Sequence, residues 1–73
     1  MEKLYEILED VRPDVDFKSE KNLVDGGILD SFDVVTMVGD INEEFGVEIT
    51  ALHLVPENFN SAEAIWALIQ SLK

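Results

Sequence analysis

The sequence predicts a small all-α protein with three main helices, one short helix, and a long loop between the first two helices. Three segments carry apolar residues at the three- and four-residue spacing of amphipathic helices. Only residues 47–51 alternate in the manner of a strand, and no second such run is present to pair with them. A chain of 73 residues suffices for one domain, so we expect a single bundle over residues 1–73.

The first helix is predicted at residues 2–11, and Pro13 ends it because a proline disfavours helical geometry at the preceding residue. Its apolar stripe is Leu4, Ile7, Leu8 and Val11. Residues 12–30 show no sustained period and are predicted to form the long loop, with a turn at Gly26 and Gly27. Four apolar side chains of this loop are candidates for the core: Phe17, Leu23, Ile28 and Leu29.

The second helix is predicted at residues 31–45, with Asp30 or Ser31 as its N-cap and Gly46 as its stop. At 100° per residue, one broad arc is apolar and should face the core. This arc contains Val34, Val35, Met37, Val38, Ile41 and Phe45. The opposite face carries Asp33, Thr36, Asp40 and Glu43. Phe32 also falls on that polar face, where an aromatic side chain requires an explanation.

The remainder of the chain is predicted to contain a loop, a short helical turn and a last helix. Residues 47–55 are interpreted as the loop, and Pro56 begins a turn over residues 56–59. The last helix covers residues 61–72, where Asn60 and Glu63 fit a variant capping box. Its buried stripe is Ala62, Ile65, Trp66, Ile69 and Leu72.

The net charge of −11, from 16 acidic and 5 basic residues, disfavours nucleic acid and anionic membranes as partners. It favours proteins with basic patches. The chain has no cysteine, secretory signal or membrane span, so we expect a cytoplasmic domain without disulfides. We also expect a monomer. No metal is expected: a calcium loop counted from Asp14 would need glycine and glutamate where Ser19 and Asp25 stand.

The residues that indicate chemistry are 27–33, Gly-Ile-Leu-Asp-Ser-Phe-Asp. They place the hydroxyl of Ser31 after a glycine turn and at the start of a helix, where negative charge is favoured. This suits a modification site; the plainer alternative is that Ser31 is only an N-cap. A hydrolase that uses Ser31 is disfavoured, because the only histidine, His53, lies in a loop and no nucleophile elbow is present.

Residues 30–33, Asp-Ser-Phe-Asp, resemble the Asp-Ser-Leu motif of acyl and peptidyl carrier proteins. The resemblance extends along nearly the whole chain, through the first helix, the long loop, the Glu-Glu-Phe-Gly end of the second helix and the last helix. Phe32 replaces the usual leucine, and residues 27–32 resemble the D-alanyl carriers and some stand-alone carriers of peptide-synthetase type. Residues 55–61 are also more similar to such stand-alone carriers than to a fatty-acid synthase carrier. Thr36 and Gly39 stand where fatty-acid carriers usually have an acidic and a bulky apolar residue.

This resemblance implies an acyl-carrier-like bundle that is not an enzyme. It implies 4′-phosphopantetheine on Ser31, beside Asp30, with an acyl or aminoacyl group held as a thioester. The implied partners are a phosphopantetheinyl transferase, an activating ligase, and an acyltransferase or synthase. The residues expected to contact these partners are Phe32, Asp33, Thr36, Gly39, Asp40 and Glu43. The alternative from another class is an acidic helical interaction module without a prosthetic group.

Overall fold

A computed structural model describes all 73 residues and shows an all-helical fold without strands. Helix α1 spans Glu2–Val11, α2 spans Ser31–Phe45, α3 spans Pro56–Phe59 and α4 spans Ala62–Leu72. One 3₁₀ turn, at Ala51–His53, lies inside the segment that was predicted as a loop. The all-α prediction is confirmed, and the bounds of α1, α2 and α3 agree with the sequence patterns.

One hydrophobic core joins the helices and contains no buried polar or charged side chain. Helix α1 packs against α2 and α4, and α3 packs against α4. The core side chains are Leu4, Ile7, Leu8, Phe17, Leu23, Leu29, Met37, Ile41, Val47, Ile49, Phe59, Ala62, Ile65, Leu68 and Ile69. The loop between α1 and α2 therefore contributes to the core through three of its four predicted anchors, while Ile28 is half-buried.

Asn60 fastens this long loop to the junction of α3 and α4. Its side-chain oxygen accepts hydrogen bonds from the backbone N–H groups of Val24 and Asp25, both at 3.0 Å. Its amide donates to the Asp25 carboxylate at 2.9 Å, and its backbone carbonyl accepts from Leu23 N–H. The capping box predicted for Asn60 is therefore wrong. The N-cap of α4 is Ser61, whose hydroxyl accepts from the backbone N–H of Ala64.

The segment after α2 begins at Gly46, whose φ of 64° is the left-handed conformation in which glycine ends a helix. The side chain of Asn42 then pairs with both backbone groups of Ile49, accepting from its N–H at 2.8 Å. The 3₁₀ turn follows because Thr50 and His53 cap each other, and the Nδ1 atom of His53 accepts from the Thr50 N–H. These side chains therefore satisfy backbone groups that a neighbouring strand would otherwise bind.

Two further findings concern exposure. Val35, which the helical wheel places in the core-facing arc of α2, is 59% exposed, because it lines an open groove between α2 and the segment that leads into α3. No helix is both long and apolar enough to cross a membrane.

Candidate functional site

Ser31 is the first residue of α2, and its side chain is exposed to solvent. The N-cap is Asp30: its carboxylate accepts from the backbone N–H of Asp33 at 2.8 Å. The Asp33 carboxylate reciprocates by accepting from the Asp30 N–H, at 3.4 Å. The helix is therefore capped by its neighbours, and the plainer interpretation of Ser31 as the N-cap is wrong. Its hydroxyl stands at the helix N-terminus without a capping role.

Arg12, at the end of α1, holds this first turn of α2 in place. Its Nη1 atom donates to the Asp33 carboxylate at 2.7 Å and to the backbone carbonyl of Ile28 at 2.9 Å. The Asp33 side chain is only 14% exposed, so the expectation that it lies on the solvated docking face is wrong. The sequence shows that Arg12 is the only arginine, but no local pattern links it to an aspartate 21 residues away.

The same guanidinium forms a two-point pair with Asp14, in which Nε and Nη2 each donate at 3.1 Å. This hydrogen bonding holds the pKa of the Asp14 carboxyl below its ordinary value. The hydrogen bonds to Asp14 and, second, to Asp33 raise the pKa of Arg12 above its already high ordinary value, so the guanidinium is always charged. The start of α2 is thus tied to the end of α1 by a permanent cation.

An apolar groove with a volume of about 390 Å³ opens beside Ser31. It lies between the end of the long loop, the first two turns of α2, and the segment that leads into α3. Its lining residues are Val24, Leu29, Asp30, Ser31, Val34, Val35, Leu54, Val55, Pro56 and Phe59. Sequence reasoning missed this groove, because its walls come from two stretches, residues 24–35 and 54–59, that are far apart in the chain.

Most of the predicted docking residues share one exposed face of α2. Phe32 is 77% exposed, and Thr36, Gly39, Asp40 and Glu43 are also exposed. Positions 32, 36, 39, 40 and 43 follow the three- and four-residue spacing that lines residues up on a helix. The Thr36 hydroxyl donates to the backbone carbonyl of Phe32 at 3.0 Å and so does not extend away from the helix as a free donor. Phe32 thus stands next to Ser31, and the carboxylates of Asp40 and Glu43 follow further along the same exposed face of α2.

The structure supplies no catalytic partner for Ser31. His53 is not among the residues that line the groove, and its Nδ1 atom is occupied by the Thr50 N–H. A serine nucleophile requires an adjacent base within hydrogen-bond reach. No group of three or more His, Asp or Glu side chains is placed to hold a metal ion.

These features describe a small helical domain with an exposed serine at the start of α2 and an open apolar groove beside it. A family model described as "Phosphopantetheine attachment site" matches residues 2–69, so the chain belongs to this family. A search among curated proteins finds no match to the chain. The expected resemblance to acyl and peptidyl carrier proteins is therefore confirmed at the level of the family.

The protein is a phosphopantetheine-bearing carrier, and it carries substrates for enzymes without being catalytic itself. Domains of this family attach 4′-phosphopantetheine covalently at a serine, and they typically work with a phosphopantetheinyl transferase and synthase enzymes. The exposed hydroxyl at the start of α2 and the open groove beside it fit that group. A module without a prosthetic group is correspondingly disfavoured.

Proposed function

We propose that Ser31 bears the 4′-phosphopantetheine arm, and that the carrier moves an acyl or aminoacyl thioester from an activating ligase to an acyltransferase or synthase. The observation that carries this proposal is the exposed Ser31 hydroxyl at the positive end of α2. This hydroxyl is free of a capping role, because Asp30 caps the helix. Asp30 would position the modified residue by fixing the first turn. The proposal includes a monomeric, cytoplasmic carrier with residues 1–73 as one domain.

In the modification step, Ser31 Oγ attacks the phosphorus that bears the pantetheine in coenzyme A. The new P–Oγ bond forms as the pyrophosphate P–O bond breaks, so that adenosine bisphosphate leaves with the electron pair. The hydroxyl proton passes to a base on the transferase, since the carrier's only histidine does not line the groove and its Nδ1 atom is occupied by the Thr50 N–H. Once attached, the arm supplies a terminal thiol for thioester formation, and the carrier's tether raises the effective concentration of the cargo at each enzyme.

The intact mass of the protein tests the attachment site. After incubation with coenzyme A and a broad-specificity transferase, the protein should gain the mass of one phosphopantetheinyl group. Ser31→Ala should abolish the gain. Ser19→Ala is the matched control, because Ser19 is also exposed and lies in the long loop; it should leave the gain intact. A gain that survives Ser31→Ala would overturn the assignment.

The surface proposed to bind partner enzymes comprises Phe32, Thr36, Gly39, Asp40 and Glu43. We call it the docking face of α2. Phe32 would supply its apolar anchor, because buried aromatics dominate interface energies. The two carboxylates would meet basic side chains and mainly raise the association rate. Thr36 and Gly39 add little bulk, so a partner can approach the helix backbone closely.

A pair of alanine variants distinguishes docking through this face from nonspecific contact with any exposed apolar side chain. Phe32→Ala should lower kcat/KM of the transferase for the carrier at least about tenfold, as expected for an anchor residue. Leu52→Ala is the control, because Leu52 is the most exposed large apolar side chain, at 90%, and lies on the 3₁₀ turn outside the docking face. Equal losses for the two variants would contradict docking through α2.

The cargo proposed is an aminoacyl group, on a carrier of D-alanyl or stand-alone peptide-synthetase type. The support is the resemblance in sequence: Phe32 follows the serine where leucine is usual, and Thr36 and Gly39 stand where fatty-acid carriers usually have an acidic and a bulky apolar residue. The test is to present the holo-carrier and ATP to adenylating ligases specific for D-alanine, for other amino acids and for fatty acids. Thioester formation only with the fatty-acid ligase would reject this assignment and leave the carrier role itself intact.

A further inference from the structure

The Arg12 guanidinium contacts the chain on both sides of Ser31. Its Nη1 atom donates to the Ile28 carbonyl, three residues before the serine, and to the Asp33 carboxylate, two residues after it. The segment between these two contacts contains the whole turn from the loop into α2. Arg12 itself is fixed by its position at the end of α1, where its backbone N–H bonds to the Leu8 carbonyl.

The orientation of the guanidinium is also fixed from its other edge. Asp14 takes the Nε and Nη2 donors, so four hydrogen bonds hold the group to three residues, Asp14, Ile28 and Asp33. A planar guanidinium presents this many donors in a rigid arrangement, whereas a lysine ammonium is a compact point charge on a flexible stem. Lysine at this position would keep the attraction to Asp33 but not the full set of directed bonds.

Few basic residues are available to replace Arg12 as the partner of Asp33. The chain carries 16 acidic and 5 basic residues, and Arg12 is the cation that contacts the first turn of α2. Without it, the 14%-exposed Asp33 carboxylate would remain unpaired close to the Asp30 carboxylate. Because an unpaired, partly buried charge is unfavourable, Asp33 would turn toward solvent and give up its part in the capping box.

We propose that Arg12 is a positioning residue for the modification of Ser31: it holds residues 28–33 so that the hydroxyl reaches the transferase in one orientation. This inference rests on the proposed function, since it concerns the rate at which Ser31 accepts the arm. The attack on phosphorus requires close alignment of Oγ with the breaking bond, and small displacements of a reacting group lower rates steeply. Arg12 contributes no atom to the reaction.

The kinetics of the transferase with native carrier and with Arg12→Gln provide the test, at a temperature where circular dichroism shows both to be folded. Loss of positioning should lower kcat about tenfold and leave KM for the carrier within about twofold. Arg12→Lys should fall between the two proteins. A role in folding alone would instead reduce the fraction of usable carrier, which raises the apparent KM and leaves kcat unchanged; that result would overturn the proposal.

Two further variants sharpen the result. Lys21→Gln removes a different ion pair, between the long loop and Glu63 of α4, and should leave kcat unchanged. In the cycle of Arg12→Gln and Asp33→Asn, the double variant should lose less kcat than the sum of the two single variants, because the Arg12–Asp33 contact is already absent in Arg12→Gln. Additive losses would overturn the proposal. If Arg12→Gln does not fold, Arg12→Lys with the same kcat as the native carrier would overturn it.

The failure of this inference is distinguishable from the failure of the proposed function. If Ser31→Ala is still modified, the attachment site is elsewhere and the proposed function fails. If the native carrier is modified at Ser31 and Arg12→Gln keeps the native kcat, only the positioning role of Arg12 is wrong.

Discussion

Replacement of Asn60 by alanine tests how the long loop is held to the rest of the bundle, and hence how one wall of the groove is kept in place. The Asn60 side chain forms three hydrogen bonds: two accepted from the N–H groups of Val24 and Asp25 and one donated to the Asp25 carboxylate. Val24 lines the groove beside Ser31. Alanine removes all three bonds and adds nothing in their place.

The expected loss of stability follows from the burial of each partner. The N–H of Val24 lies in a partly buried position, and a buried donor left without an acceptor costs about 1–3 kcal/mol. The two groups of Asp25 are exposed, so water replaces much of what they lose, at about 0.5 kcal/mol each. Asn60→Ala should therefore lower the free energy of unfolding by about 2–4 kcal/mol. For a domain of this size, that lowers Tm by roughly 10–30 °C.

Urea unfolding followed by Trp66 fluorescence measures this loss, because Trp66 is half-buried and packs edge-on against Phe45. The comparison variant is Ser61→Ala, which removes the single N-cap bond to the Ala64 N–H and should cost about 1 kcal/mol. Equal m-values in the two variants are required for the comparison. If Ser61→Ala costs as much as Asn60→Ala or more, the reasoning from the loop contacts is refuted.

Three further predictions concern the core, the ion pairs and the overall charge. Met37→Ala should lower the free energy of unfolding by about 2–5 kcal/mol in urea titrations, because Met37 is fully buried; a loss below about 1 kcal/mol would show that its site is loosely packed. The Lys21 contact holds the pKa of Glu63 below its ordinary value of 4.5, so the stability it adds is present above that pH and lost as the pH falls through the lower folded value. The stability difference between the native protein and Glu63→Gln should thus be present at about pH 7 and absent at about pH 2, and a difference that persists in acid would contradict the assigned cause. Sodium chloride at about 0.5 M should raise Tm by screening repulsion within a chain of net charge −11, whereas a fall in Tm would show that attractive pairs dominate.

The features that the sequence determined by itself are those encoded over one or two helical turns. The apolar spacing in residues 2–11 and 31–45 gave helices with the observed bounds, and Gly46 ended the second helix as predicted. The exposure of Phe32 could be read in the same way, from its angle on the helix. The Asp-Ser-Phe-Asp motif likewise pointed to the family that the later comparison confirmed.

Only the tertiary structure decided which polar groups meet and which apolar groups remain uncovered. Arg12 reaches Asp33 across 21 residues and Asn60 reaches Val24 across 36, and several other donors and acceptors along the chain would have suited either side chain equally well. The helical wheel predicts that Val35 faces the core, yet Val35 is exposed, because a wheel gives an angle but not the position of the neighbouring elements. Local periodicity follows from the geometry of one helix, whereas these contacts depend on how several elements pack together, and that packing fixes both the support of Ser31 and the groove beside it.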